Sequence, residues 1–294
     1  MNYIVLDIGG TAIKYGVIND EIEFLEKGLV PTDTSAGGEV IVNQCCEIIN
    51  QLLPNYEIKG VGISTAGMVD TNNGLIYYSS PLIPDYTGTN FKKIINNQFA
   101  LPCYVENDVN CAGLAESLLG AGKGEDVVFT ATIGTGIGGC ITIDGKVFHG
   151  HNFAAGEVGY LKMFDHDFQM IGSSKVLVER VAQLKNDDVK NWDGLKIFEG
   201  AQNGDPICDQ AIEEMCHVIG HGFANISYVI NPSVIVVGGG IAAQGDYLLK
   251  RIDKYLAKYL LPQLYNNLDL KIAHFANDAG MIGAYLNFKQ NEQD

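Results

Sequence analysis

Two aspartates stand where phosphate chemistry has a use for a carboxylate. Asp7 closes a short apolar run and is followed by Ile8-Gly9-Gly10-Thr11, with Lys14 shortly after. A carboxylate at a strand end can orient a hydrated Mg²⁺ through water, and the glycines after it let backbone N–H groups approach phosphate oxygens. The Thr11 hydroxyl adds a donor and Lys14 a positive charge. The pattern is not a Walker A loop, because GxxxxGK[ST] is absent. Asp108 lies in Glu106-Asn107-Asp108-Val109-Asn110, which closes an apolar strand after Pro102. Polar residues at the carboxyl end of a buried strand are a common α/β site. Asp108 could take the proton of an attacking hydroxyl while Asn107 positions its carrier; capping of the following helix by either residue explains the same pair.

A second glycine string, Gly134-Thr135-Gly136-Ile137-Gly138-Gly139, has the GxGxxG spacing, but CITIDGKVF after it is strand-like. A dinucleotide fingerprint must open a helix, so a phosphate-holding hairpin turn fits better. Val236-Val237-Gly238-Gly239-Gly240 ends a third apolar strand in bare backbone, against which a base and ribose could lie; a plain strand-to-helix turn is the alternative. In His149-Gly150-His151-Asn152-Phe153-Ala154-Ala155-Gly156-Glu157-Val158-Gly159-Tyr160, small residues surround histidines and one glutamate, a composition suited to a polyol. His149 is read as an outer-shell or surface residue. His166, His217, His221 and His274 have no ligand-like spacing, and Trp192 is assigned to packing.

The elements that would position these residues alternate between strand and helix, which gives an α/β architecture. Strands are expected over 2–8 and 12–18 around the first glycine turn, then over 22–30, 61–65 and 103–107. Helical spacing covers 40–53, stopped by Pro54, and 89–99. A second strand–turn–strand follows over 127–134 and 138–148, then a long helix over 206–230, a strand over 234–240, a helix over 246–260, a strand over 270–275 and a last helix over 278–289. Residues 162–175 and 185–205 read as polar, irregular excursions. The two halves are comparable, and each opens with a glycine-turn hairpin, as though a nucleotide were clamped between facing turns.

With 294 residues, 47% hydrophobic and 18% charged, the chain has ample material for buried cores. A formal charge of −16 disfavours nucleic acid as a partner. No apolar run approaches a membrane span, and the amino terminus lacks a signal-peptide pattern, so a cytoplasmic protein without membrane association is expected. The seven cysteines form no CxxC pair and are expected to be reduced and buried.

Taken together, these segments resemble the ROK family of bacterial sugar kinases, repressors and uncharacterised open reading frames. DIGGTAIKYG (7–16), STAGMVD (64–70), ENDVN (106–110), ATIGTGIGG (131–139), HNFAAGEVGY (151–160) and VIVVGGGIA (234–242) occur in the family's order over nearly the whole chain. The resemblance implies an actin-like ATPase (RNase H-like) fold of two lobes with an interlobe cleft. One lobe is expected over 1–117, completed by the C-terminal helix 278–294, and the other over 118–277. It implies ATP and Mg²⁺ as cofactors, a small-molecule sugar as partner, and a homodimer. Asp108 becomes the general base, Asn107 a sugar contact, and His151 and Glu157 ligands of sugar hydroxyls, with Gly67 lining the same pocket. Val5, Leu6, Asp7, Ile8, Gly9, Gly10 and Thr11, with Lys14, resemble the first phosphate motif. Gly134, Thr135 and Gly136 resemble the second, and Gly239 and Gly240 fall where the family packs adenosine.

Zinc-bearing members carry a histidine where Tyr160 stands here, followed by a cysteine cluster; residues 161–180 contain no cysteine. No structural zinc is expected. That departure, DIGGTAIK and PLIPDYTGTNF (81–91) are similar to beta-glucoside kinases, which phosphorylate the 6-hydroxyl of a glucose unit in cellobiose-like sugars. N-acetylmannosamine kinase and glucokinase are the alternatives. A sugar-sensing regulator is the non-enzyme alternative, disfavoured because no helix-turn-helix precedes the first strand.

Overall fold

The computed structural model describes residues 1–34, 37–79 and 83–293. The chain divides into two units, one of Met1–Ala115, Val147–Ala155 and Asn277–Asp294, the other of Glu116–Lys146 and Gly156–Ala276. Residues Pro81 and Leu82 of the PLIPDYTGTNF stretch, and the last residue of the expected C-terminal helix, lie outside the described residues.

The first unit contains β1 (Asn2–Ile8), β2 (Ala12–Asn19), β3 (Phe24–Pro31), α1 (Gly38–Leu52), β4 (Ile58–Thr65), the hairpin β5 (Met68–Asp70) and β6 (Leu75–Tyr78), α2 (Phe91–Phe99) and β7 (Cys103–Asn107). It also holds the Asp108–Ala115 part of α3 (Asp108–Leu119). Its five-stranded sheet runs β3-β2-β1-β4-β7, antiparallel over the first three strands and parallel from β1 to β7. The period-2 alternation of β1 decides what covers each face. Ile4, Leu6 and Ile8 enter a core with α1 residues such as Ile41, Cys45 and Ile49. Tyr3 and Val5 point the other way, onto Met281, Tyr285 and Phe288 of the last helix (Ala279–Gln293). Asp7 belongs to that second face.

The second unit repeats the plan. It contains β8 (Val127–Ile133), β9 (Ile137–Ile143), β10 (Lys146–Val147, whose second residue belongs to the first unit), the hairpin β11 (Lys162–Met163) and β12 (His166–Asp167), α4 (Gln169–Gly172), α5 (Ser174–Lys185), α6 (Gly194–Gln202), α7 (Pro206–Ile230), β13 (Val234–Gly238), α8 (Gly245–Tyr259), α9 (Pro262–Tyr265) and β14 (Asp269–Ile272). The last helix of the chain is α10 (Ala279–Gln293). The sheet order is β10-β9-β8-β13-β14, again an antiparallel hairpin continued by parallel strands. Phe129, Ala131, Ile133, Ile235 and Val237 bury one face against α5 to α8.

Two expectations need correction. Residues 162–175 and 185–205 are not irregular throughout, since they carry β11–β12, α4, the start of α5 and all of α6. The physical reason is local. Asp193 caps α6 by accepting from the Lys196 amide at 2.8 Å, and Ile197 and Phe198 are its buried anchors, too few to give a clear helical period. In addition, Val147–Ala155, which chain order would leave with the second half, belongs to the first unit. All seven cysteines are free and buried. Among the described residues, no helix is long and apolar enough to cross a membrane.

Candidate active site

In the first unit the candidate residues collect at the carboxyl ends of three adjacent strands, because the parallel register aligns Asp7 with Ser64 and Thr65 with Asn107. The side chains of Val5, Leu6 and Ile8 are wholly buried and hold the strand in place ahead of the Gly9–Thr11 turn. Gly10 and Thr11 are exposed in the turn, and a methyl group built on Gly10 would meet nothing within 4 Å. The Thr32 hydroxyl donates to Gly9 O at 2.7 Å, and the Gly9 amide donates to Ala12 O at 3.0 Å, which fixes the turn from both sides.

The Asp7 side chain is 15% exposed. Its Oδ2 accepts from Lys14 Nζ at 3.0 Å and its Oδ1 from Ser64 Oγ at 2.7 Å. A Cβ at Gly280 would stand 2.6 Å from the Asp7 carboxyl carbon, so the first turn of α10 lies directly against the carboxylate. The helix N-terminus and Lys14 thus both place positive charge beside it. A lone, partly solvated carboxylate fits Mg²⁺, which keeps most of its water and needs few protein ligands. Among the described residues, no group of three or more His, Cys, Asp or Glu is placed to hold a metal ion.

Asn107 and Asp108 form the junction between β7 and α3. Asn107 Oδ1 accepts from the amides of Val109 at 2.9 Å and Asn110 at 3.0 Å, so Asn107 is the helix cap. Its Nδ2 donates to Gly67 O at 2.8 Å and to Asp108 Oδ1 at 3.0 Å. Both acceptor sites and both protons of the amide are thus used inside the protein. The cap that starts α3 also orients the Asp108 carboxylate, whose Oδ1 takes the Val109 amide at 2.9 Å as well. Gly67 adopts φ 99°, and a side chain there would press on Tyr78 O at 2.7 Å. His151 is exposed on the Val147–Ala155 loop.

In the second unit, Gly134, Thr135 and Gly136 form the β8–β9 turn, and Gly134 O accepts from the Ser174 amide at 2.9 Å. A Cβ on Gly134 or Gly240 would meet nothing within 4 Å, so both present open backbone. Gly239 does the opposite. At φ 84°, its Cβ would come within 2.4 Å of Ile133 O, so the end of β13 can lie against β8 only with glycine there. Gly134, Thr135 and Gly240 line a pocket of about 420 Å³ with Ser174, Leu177, Leu195, Phe198 and Gln244. Leu195 is 62% exposed, an apolar side chain left uncovered beside this hollow. These α5, α6 and α8-proximal residues were missed from sequence. Glu157 precedes a short 3-10 turn (Val158–Tyr160), and burial holds its carboxyl above the usual carboxylate range. Among the described residues, no side chain or backbone amide donates a hydrogen bond to that carboxylate. Tyr160 is exposed.

Comparison with known proteins adds a match to the ROK family model over residues 3–291. The chain belongs to the ROK family. It is 46% identical over 289 residues to an uncharacterised protein of Clostridium perfringens, covering 98% of each chain. It is 31% identical to a beta-glucoside kinase of Listeria innocua, covering 99% of each. A ROK family glucokinase from Streptomyces griseus, solved in complex with glucose and AMPPNP, superposes with a TM-score of 0.84 at 29% identity, covering 97% of this chain and 98% of that one. The α/β fold, with its repeated five-stranded sheet, is the actin-like ATPase fold of this ROK chain.

Proposed function

We propose that this ROK chain is an ATP-dependent sugar kinase that phosphorylates the 6-hydroxyl of a hexose unit, with beta-glucosides such as cellobiose as preferred acceptors. The observation that carries this is the Asn107–Asp108 junction: a carboxylate oriented by a fully satisfied amide at a strand end, in the same sheet as Asp7, Lys14 and the open Gly10 turn. In-line transfer needs positioning and charge neutralisation more than covalent chemistry. Asp108 accepts the proton of the attacking hydroxyl. Backbone N–H groups at Gly9–Thr11 and Gly134–Gly136, with Lys14, hold phosphate oxygens. The pocket ending at Gly240 takes the adenosine, its apolar wall of Leu177, Leu195 and Phe198 suiting a base. Asp7 would hold Mg²⁺ through water, and the metal when bound supplies charge neutralisation to the phosphates.

Glu157 and His151 are assigned to sugar hydroxyls. An unpaired, half-buried carboxylate such as Glu157 is a ready acceptor for a polyol. The beta-glucoside preference is supported by the likeness to the Listeria innocua enzyme along the full chain. The protein is placed in the cytoplasm with its ATP, as a homodimer. Exposed Tyr228, Val229 and Leu261 give a partner copy an apolar surface, and light scattering in solution measures the mass.

The test is a coupled ATP-consumption assay with cellobiose, gentiobiose, glucose, N-acetylglucosamine and N-acetylmannosamine. Turnover led by the two glucosides is expected. A strong signal from N-acetylmannosamine or glucose alone would reassign the acceptor, and no sugar-dependent consumption would remove the kinase assignment.

A further inference from the structure

Glu106 immediately precedes the Asn107–Asp108 junction and is 1% exposed, a burial that a carboxylate tolerates only when its oxygens are satisfied. Its Oε1 accepts from the Asn107 amide at 2.8 Å and from Asn110 Nδ2 at 3.0 Å. Its Oε2 lies 2.6 Å from Nε2 of His149, which is on the Val147–Ala155 loop. That loop closes on itself through the Ala155 amide, which donates to His149 O at 3.2 Å. It also holds Phe153 at φ 62° and Gly150 at φ 70°. A left-handed phenylalanine costs about 1–2 kcal/mol, so the surroundings must impose the loop's shape. The side-chain anchor that ties it to the sheet is the imidazole of His149, with the Phe153 ring edge-on to it at 6.3 Å.

We infer that His149 is a positioning residue: held by Glu106, it locks the loop that carries His151 onto the strand end that carries Asn107 and Asp108, and thereby sets affinity for the acceptor sugar rather than the rate of transfer. The sugar half of this rests on the kinase assignment; the locking of the loop does not.

The segments that meet here carry Glu106 on β7, Asp108 and Cys111 on α3, and His151 on the loop. Of these, Glu106 is the group that acts on the His149 ring. Burial pulls the imidazole pKa down, but the hydrogen bond and charge of Glu106 together outweigh it and leave the pKa raised. Burial holds the Cys111 thiol protonated. With a raised folded-state pKa, the contribution of the pair is complete below the ordinary histidine value and declines as pH rises through the His149 titration.

The experiment compares the full-length wild type with His149→Phe, which removes donor and charge, and His149→Gln, which keeps a neutral donor. Amide-exchange protection at Ala155, measured without ligand and corrected for intrinsic rates, reads the lock directly. Kinetics with cellobiose and ATP read its consequence. In the wild type, Ala155 protection falls and sugar KM rises across the His149 titration. His149→Phe lowers protection and raises sugar KM by roughly 10-fold, the size of one charge-assisted hydrogen bond, with kcat and ATP KM within about two-fold. His149→Gln recovers part of both and loses the pH step. Unchanged Ala155 protection in His149→Phe, a fall in kcat at constant sugar KM, a pH step that survives in His149→Gln, or equal rises in both KM values would each overturn the inference. A wild type that uses no sugar would instead remove the kinase assignment, with the exchange measurement still deciding whether His149 holds the loop.

Discussion

Lys14 and Asp7 face each other across the β1–β2 hairpin as register partners, with Nζ 3.0 Å from Oδ2. The lysine therefore serves as counter-ion to the carboxylate beside the Gly9–Thr11 turn, and it also donates to Asn277 O at 3.2 Å. Replacing Asp7 with Asn keeps the shape and the Ser64 contact but removes the charge. The expected result is a loss of roughly 10²-fold or more in kcat and a higher Mg²⁺ requirement, read from magnesium titrations of the rate. Near-normal magnesium dependence would detach Asp7 from the metal.

For Asp108, replacement by Asn preserves an oxygen able to accept from the Val109 amide, so the start of α3 should stand. The expected fall in kcat is roughly 10²–10⁴-fold, with sugar binding by calorimetry and the melting temperature nearly unchanged. Turnover close to wild type would take the base role away from this residue.

Gly239 combines a left-handed φ with a neighbour 2.4 Å from any added Cβ. Gly239→Ala must push β13 away from Ile133 or twist the backbone, at a cost of at least about 1–3 kcal/mol. A lowered melting temperature and a raised ATP KM are expected together. A variant as stable as wild type would mean that the strand end yields easily.

Glu157 makes a pH-dependent prediction of the same sign as His149 but in the carboxylate range rather than the histidine range. Its folded-state pKa is raised by burial, so the folded protein holds the proton more tightly than the unfolded chain. Stability should fall as pH rises from the ordinary carboxylate range through the raised value. Glu157→Gln should flatten that slope in denaturant titrations and stabilise the protein at neutral pH while weakening sugar binding. A slope unchanged by the substitution would show that Glu157 carries none of it.

Features read correctly from sequence are those written in contiguous residues. The glycine turns after Asp7 and Ile133, the polar end of β7, and the recurrence of hairpin and parallel strand all depend on neighbours within a few positions. The wall of the pocket beside Gly240 does not. Ser174, Leu195 and Gln244 come from three separate stretches and become neighbours only once α5 and α6 have packed on α7. α6 hid because its glycine and polar flanks imitate a loop, and a nine-residue helix with two buried anchors has little periodic signal. The Glu106–His149 pair was equally silent. Forty-three positions separate the two residues, and neither glutamate nor histidine announces burial. Asn107 shows the converse: capping is legible from residue type, and the same amide that caps α3 also holds the Asp108 carboxylate.

The seven sequestered thiols carry a practical consequence. Burial first of all raises the pKa values of Cys45, Cys46, Cys103, Cys111, Cys208 and Cys216, the last to about 12, leaving almost no thiolate there for an electrophile to find. A maleimide dye would stay dark on the native protein and light up only on molecules that have opened, so the chain arrives with its own stopwatch for unfolding.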